Sequence, residues 1–536
     1  MIPAALLIVG IPLVGAALAY VLRRWQGGEI AIAVFACVGV IALLAQPPDS
    51  RIVLPGASIV IAPDAPFEVL GRVLRVRDAE RIPILLLFVC AAALFTLSWR
   101  APQGWPFVPA GLVVLAAVSS ALMIRPFVYA ALALEGAAAL TALMIQAERG
   151  GERATLGALR YLGAVTLALP LFLFAGWSID RAGTVNLSDA TALATAYGPA
   201  TVLLIGGFGL MLGALPIYTW VHPVARDASP LVTAFVASVS VGAVSFLLLN
   251  FWQAYDWLRV GGQATGALVV GGIVLLAVGG ALAWAQHAFH RVMACAVLVE
   301  IGCTLLVISR GSQLAVEALM FATVARALSL GVFGLGIWRL RAMQGSDAFA
   351  DVRGLRDPWA ALALIVGGLS AAGIPGTLGF VARWSAARAY GSVDAEGLAL
   401  LVAAGASVGI GVMRGVIAMF APTDRRPVET MDDGLQQAVV SPQRVLVVAE
   451  AAEATGAIVR PSPDPDEFPL IEGEALIEAE VVRADHSQQA IARRLDSFGA
   501  RLMIAAAAAT VIILGIWPGL IAPLAKVAAA QYTFYP

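Results

Sequence analysis

Lysine is almost absent from this chain. Of its 34 basic residues, only Lys526, near the C-terminal end, is a lysine; the rest are arginines. An arginine guanidinium stays protonated at any physiological pH, so it can hold a charge but cannot hand on a proton. Cysteine is also scarce. Cys37, Cys90, Cys295 and Cys303 all fall inside apolar stretches and none belongs to a CxxC pair, which argues against disulfides and metal clusters and leaves buried thiols. Only His287 and His290, in QHAFHR, have a metal-pair spacing, and no third ligand stands near them, so no metal site is expected. No glycine-rich phosphate loop follows a strand and no redox motif occurs, so no cofactor is expected. With 13% charged residues and a net charge of −1, neither nucleic acid nor an anionic surface is an expected partner.

What the chain does have is apolar length. Hydrophobic residues make up 60% of it, and its mean hydropathy is +0.87. A stretch of roughly 17–25 apolar residues spans the ~30 Å hydrocarbon core of a bilayer. About fourteen such stretches can be read, near 2–22, 29–46, 83–99, 106–124, 127–147, 157–178, 199–218, 229–253, 265–286, 291–308, 315–338, 358–390, 396–420 and 501–524. The first has no basic leader and no small-residue cleavage site, so it reads as a retained helix. The pattern predicts an all-α polytopic membrane protein with the lipid bilayer as its solvent.

Two of these stretches carry a prolyl break. Pro216 interrupts the seventh, and Gly373-Ile374-Pro375-Gly376 splits the twelfth, which is too long for one plain span. A lone glutamate stands two stretches before each break: Glu135 in LALEGAAAL and Glu300 in VLVEIG. The glutamates are about 165 positions apart and the prolines about 159. Stretches four to eight and nine to thirteen therefore form two five-helix sets. Because five is odd, the second set enters the membrane inverted. Inverted repeats, each with a discontinuous helix, are the architecture of secondary transporters.

The expected organisation is N-terminal transmembrane helices over 1–125, a transmembrane core over 126–421, a loop over 422–500 and a last helix and tail over 501–536. Within 47–82, RIVLPGASIVIAP reads as a short hairpin. The acidic, Pro-rich middle of 422–500 (PSPDPDEFP) predicts partial disorder, with helical spacing over 474–500. Arginine is concentrated in the connections after odd-numbered stretches, such as Arg23, Arg24, Arg100, Arg226, Arg291, Arg339 and Arg353. Those connections, and the 422–500 loop, are expected in the cytoplasm, with 47–82 and both termini on the outer side.

An ionisable side chain at membrane depth is costly and faces a cavity or a partner. Glu135 and Glu300 are therefore the candidate proton carriers. Arg326 and Arg383 can pair with Glu300 or hold water, but cannot release a proton. Arg414, near a span end, can snorkel. His222, just past the first break, can sense pH or relay a proton.

The stretch LPIYTWVHPVARDASPLVTAFVASVSVGA resembles a signature block of the antiporter-like membrane subunits of respiratory complex I. Those subunits are related to Mrp-type antiporters and to energy-converting hydrogenases. ALRYLGAV followed by GTVNL, AFHRVMACAVLVEIG, ARALSLGVFGLG, GIPGTLGFVARW and VMRGVIAMF match further blocks in the family's order, from about 127 to 420. VTAFVASVS and SLGVFG look most like the N-type, subunit 2-like member. The resemblance implies a fourteen-span core and a subunit among other membrane subunits of an NADH–quinone oxidoreductase, contributing to proton translocation coupled to quinone reduction. Its departures are specific. The lysines that the resemblance implies fall on Arg160, Met211 and Val241, and its twelfth-span lysine or glutamate on Arg383. Glu135 matches the family's glutamate, but its lysine partner is missing. This leaves three further readings: weakened conduction, a subunit of an Mrp-type antiporter or membrane-bound hydrogenase, or a non-conducting scaffold.

Overall fold

The computed structural model describes residues 2–47, 52–53, 60–62, 65–69, 71–147, 152–183, 190–214, 220–260, 262–390, 395–422, 498–532 and 534. Pro216 and nearly all of the 422–500 loop lie outside these residues. The described chain is overwhelmingly helical, as the bilayer demands: without water, backbone N–H and C=O groups must pair within their own segment. Eleven described helices are long and apolar enough to cross a membrane. Three shorter apolar helices, Phe107–Met123, Thr195–Met211 and Pro358–Ala372, fall on the fourth, seventh and twelfth stretches.

Burial sorts the helices into a centre and a periphery. The segment Pro230–Ala254 is buried from Pro230 to Trp252, and Phe289–Ile308 and Gln313–Gln344 are buried over most of their length. Gln313–Gln344 is the central post, packing against both halves of the broken twelfth stretch and against Asp78–Ser98. Peripheral helices such as Glu152–Ala182 turn Leu167, Phe174 and Trp177 outward, an apolar surface that fits lipid.

The connections gather into two layers. In one, Ile2–Pro3 pairs in parallel with Val60–Ala62, and Ile52–Val53 pairs antiparallel with it. In the same layer Arg72–Leu74 is antiparallel to Phe67–Val69 and to Ile124–Arg125. The buried Tyr532 hydroxyl lies 3.1 Å from the Ala79 carbonyl and 3.2 Å from Asn250 Oδ1, which ties the C-terminal segment to that layer. In the opposite layer Phe349 N–H donates to His287 O at 2.8 Å, Phe289 N–H donates to Asp347 O at 3.1 Å, and Arg341 reaches Ala228 O.

The two interruptions are closed by one device. After Met211 the chain turns through Gly213, with φ +68°; Ala214 N–H donates to Gly209 O at 2.8 Å and Gly213 N–H to Leu210 O at 3.1 Å. After Ala372 it turns through Gly373, with φ +79°; Ile374 N–H donates to Leu369 O at 3.0 Å and Gly373 N–H to Ser370 O at 2.9 Å. Both are the left-handed C-terminal cap that satisfies the last carbonyls of a helix, and its φ favours glycine. Side chains complete the work. Trp220 Nε1 donates to Leu210 O at 3.2 Å, and Thr377 Oγ1 donates to Ile374 O at 2.7 Å. The second break is thus set at Gly373, two residues before Pro375, which lies exposed in the turn.

Beyond that turn, Gly379 N–H donates to the Ser370 side chain, Oγ, at 3.0 Å, which joins the two half-helices directly. A Cβ on Gly379 would stand 1.7 Å from Ser370 O, closer than any contact allows. Gly379→Ala is therefore expected to lower thermal stability in detergent by about 3 kcal/mol or more. Gly10→Ala, with nothing within 4 Å, is expected to leave it unchanged. Equal melting of the two variants would disprove the close approach at the break.

Candidate functional site

The second break positions an ion pair. Arg383, one turn into the helix Leu378–Tyr390, places Nη2 2.8 Å from Glu300 Oε1 on the helix Phe289–Ile308. Both residues are buried, at 8% exposure each, and Arg383 Nη2 is also 3.4 Å from Ala371 O on the first half-helix. One guanidinium thus ties together both sides of the break and the neighbouring glutamate helix. Its stem packs on Gly373, where a Cβ would meet Arg383 Cγ at 2.5 Å.

Arg326 stands beside the pair, in the middle of the central post. The sequence offers Glu300 as its partner, but the structure gives it other ones. Its Nη2 donates to Thr304 Oγ1 at 2.8 Å, and its Nη1 to Ala237 O at 3.3 Å. Ala237 belongs to a π-helical turn, Val236–Ser240, inside the buried segment Pro230–Ala254. A π turn displaces carbonyls from the usual helical ladder and recurs at functional sites. Here the carbonyl it offers is taken by a buried cation. Arg383 Nε and Nη1 and Arg326 Nε are buried donors without a protein acceptor among the described residues. Buried donors of this kind call for ordered water as their acceptor.

Glu135 lies in the helix Ala130–Gln146. It accepts a 2.6 Å hydrogen bond from Thr166 Oγ1; its other oxygen, Oε2, is buried without a partner among the described residues. A small cavity of about 20 Å³ lies between the neighbouring helices, lined by Tyr161, Met211, Trp220, Ser240 and Val241 among others. That is room for one water molecule. Ser240 is the last residue of the π turn, so this turn links the Arg326 cluster to the cavity.

The remaining candidates stand apart. His222 is the second residue of the short helix Val221–Asp227, its Nε2 3.7 Å from Cys295 Sγ, in the layer of connections. His290 does not pair with His287 but with Asp347, through Nδ1 at 2.8 Å and its backbone N–H at 2.7 Å. Burial acts to raise the Asp347 carboxyl, but the His290 hydrogen bonds and the Arg341 charge outweigh it and hold it well below the usual carboxylate range. Arg160 is exposed, and Arg414 donates to the Trp284 carbonyl. Sequence reasoning missed Thr166, Tyr161 and the π turn. Hydroxyls on apolar helices and a one-residue change of helical register leave no mark in hydropathy. It also missed Asp347, whose partners lie on two other segments.

Residues 127–410, more than half of the chain, match the family described as "NADH:quinone oxidoreductase/Mrp antiporter, TM". The chain belongs to this family. It is similar to "NADH-quinone oxidoreductase subunit N" of Methylovorus glucosotrophus, 28% identical over 308 residues, covering 54% of this chain and 63% of the relative. Likewise, "NADH-quinone oxidoreductase subunit N 1" of Solidesulfovibrio magneticus is 32% identical over 292 residues, covering 52% and 62%. The matched stretch spans less than two thirds of these relatives' length.

Among solved structures, a chain of the archaeal membrane-bound sulfane sulfur reductase superposes with a TM-score of 0.70 at 15% identity, covering 99% of this chain and 97% of that one. A chain of the Mrp complex from Dietzia sp. gives 0.65 at 19%, covering 99% and 97%. A chain of respiratory complex I from Thermus thermophilus gives 0.62 at 19%, covering 97% and 99%. At such identities the likeness is one of fold. This member of the NADH:quinone oxidoreductase/Mrp antiporter family is thus a multi-pass membrane protein. Met211 and Val241, two of the positions where the resemblance implies lysine, line the same small cavity.

Removing one partner of a buried ion pair leaves the other charge uncompensated, at a cost of about 3–5 kcal/mol. Arg383→Met is expected to destabilise the protein in detergent by about that amount. Adding Glu300→Gln should recover most of the loss. If the double variant melts no higher than Arg383→Met, the two side chains are not coupled.

Proposed function

We propose that this chain is an N-type membrane subunit of a respiratory NADH–quinone oxidoreductase, assembled with other membrane subunits, and that it contributes to proton translocation. The observation that carries this reading is the buried Glu300–Arg383 pair at the second break, joined through Arg326 and the π turn to the cavity lined by Leu134 and Ala137 of the Glu135 helix. A transport site in this architecture is built where a broken helix exposes polar backbone and side chains at membrane depth. The identical caps at Gly213 and Gly373 support two inverted five-helix repeats and about fourteen spans.

Arginine in place of lysine changes the division of labour. Arg383 and Arg326 stay charged throughout a cycle, so they bias neighbouring groups without carrying protons themselves. Proton exchange then falls to Glu135, Glu300 and water held by the unpartnered donors, with His222 at the entrance. Met211 and Val241 offer no charge to modulate Glu135, which favours a weaker or rerouted conduction than the family's lysines would give. The same two residues also favour a second reading, a scaffold that anchors its partners without conducting. An Mrp-type antiporter or membrane-bound hydrogenase is a further parent complex of the same chemistry, and the proteins that co-purify in mild detergent decide among them.

Glu135→Gln keeps shape and hydrogen-bonding capacity while removing the exchangeable proton. It is expected to leave assembly intact and to lower the protons moved per electron in vesicles holding the purified complex. An unchanged ratio would leave only the scaffold. Met211→Lys is expected to be tolerated only while Glu135 can pair with it. Combining it with Glu135→Gln should therefore lower stability by a further ~2 kcal/mol.

We also place the layer of the Val60–Ala62 and Arg72–Leu74 strands, with both termini, on the outer side of the cell (inner) membrane. This rests on the arginine bias of the opposite connections. The native cysteines are buried, so an introduced thiol dominates labelling. Val73→Cys should react with an impermeant thiol reagent in intact cells and Asp351→Cys should not; the reverse pattern would invert the topology.

A further inference from the structure

A second cavity, of about 270 Å³, opens far from the charged centre. It is bounded by Arg72 on the strand Arg72–Leu74, Tyr129 at the start of the Glu135 helix, Trp177 and Asp180 on the helix Glu152–Ala182, and Tyr255. These elements all belong to the layer of strands and termini. The site's depth is marked by the helix itself. Leu167, Phe174 and Trp177 are exposed on it at 62, 61 and 59%, and the polar Asp180 and Arg181 follow directly. An outward apolar strip that ends in tryptophan and then in charges marks the boundary between hydrocarbon and headgroups.

The chemistry of the lining is two-signed. The Arg72 guanidinium lies 3.7 Å from the centre of the Tyr129 ring. A guanidinium stacked on its face keeps its in-plane N–H donors available, and their fork matches phosphate oxygens. Asp180 is exposed, and neither it nor Arg72 has an ion-pair partner among the described residues. Burial, and after it the Asp180 carboxylate, push the Tyr255 phenol up, which puts the two groups within electrostatic reach. Arg181 lies over the Trp177 ring at 5.3 Å and Arg72 over Tyr129, which leaves Tyr255 as the lining ring without a guanidinium over it among the described residues; an aromatic face attracts ammonium groups.

We propose that this cavity binds the headgroup of a zwitterionic phospholipid, with Arg72 holding the phosphate and Asp180 and the Tyr255 ring holding the ammonium. A free phosphate would satisfy Arg72 but leave Asp180 opposing it. An anionic lipid would bring the phosphate without the cation. The acyl chains of a bound zwitterionic lipid would run down the exposed Leu167–Phe174 strip, giving the subunit a defined lipid at its edge. This is independent of whether the chain conducts protons.

The test uses the full chain with its co-purifying partners, exchanged into mixed vesicles of phosphatidylethanolamine and phosphatidylglycerol and re-purified in mild detergent. Retained lipid is counted by mass spectrometry. The wild-type protein is expected to enrich phosphatidylethanolamine about fivefold over the bulk ratio, a difference of about 1 kcal/mol. Arg72→Gln should reduce retention of both lipids, and Asp180→Asn should abolish the preference between them. Both positions are solvent-accessible, so the variants should melt like the wild type in lipid-free detergent. Retention at the bulk ratio by the wild type, or wild-type retention by both variants, would overturn the site. A thermal shift with inorganic phosphate as large as that with phosphatidylethanolamine would overturn the lipid assignment.

Discussion

A broken helix in a bilayer must close its own carbonyls, and this requirement governs the structure. At both interruptions the chain answers with a left-handed glycine, a pair of backbone hydrogen bonds and a side chain that donates to a carbonyl at the turn. Because the carbonyls are satisfied locally, the half-helices can end at membrane depth without unfolding. That depth is where polar groups become available to one another. Arg383, Ser370 and Thr377 work at the second break only because the helix stops there.

Charge is then distributed by what arginine can and cannot do. A buried lysine can be neutralised by giving up its proton; a buried arginine must be neutralised by a partner or solvated. Arg383 takes Glu300, and Arg326 takes a hydroxyl and the carbonyl released by the π turn. The two guanidinium groups therefore shape the backbone around them as well as the field. Among the described residues Glu135 has no ion-pair partner; it accepts from Thr166, and the cavity with room for one water is lined by Leu134 and Ala137 of its helix. The two breaks share a backbone device and differ in electrostatics.

Much of this was legible in the sequence. Hydropathy located the spans because a helix must be apolar over the full hydrocarbon thickness. The GIPG run announced the second break because two glycines flanking a proline within four residues are a turn signal, and the apolar stretch around them is too long for one span. Glu135, Glu300, Arg326 and Arg383 stood out because ionisable residues are rare at such depth. The partner of Arg326 was not legible. Thr304 is an ordinary helical threonine, and Ala237 matters only through a backbone oxygen, which every residue has. Asp357 before Pro358 is an opposite case: the helix start was readable, and the structure places Asp357 as its cap, accepting from Trp359 N–H at 3.0 Å.

The sequence alone thus determined the class of protein, the position of its ionisable residues and the near-absence of any lysine to carry protons. These are properties of composition and order along one chain. Which glutamate meets which arginine, where a π turn releases a carbonyl, and how Arg72 and Asp180 come to share a cavity were decided by tertiary structure. Such pairings depend on helix rotation and depth, set by close packing of small residues over many turns. A shift of one residue in that packing turns a side chain by about 100° and changes its partner.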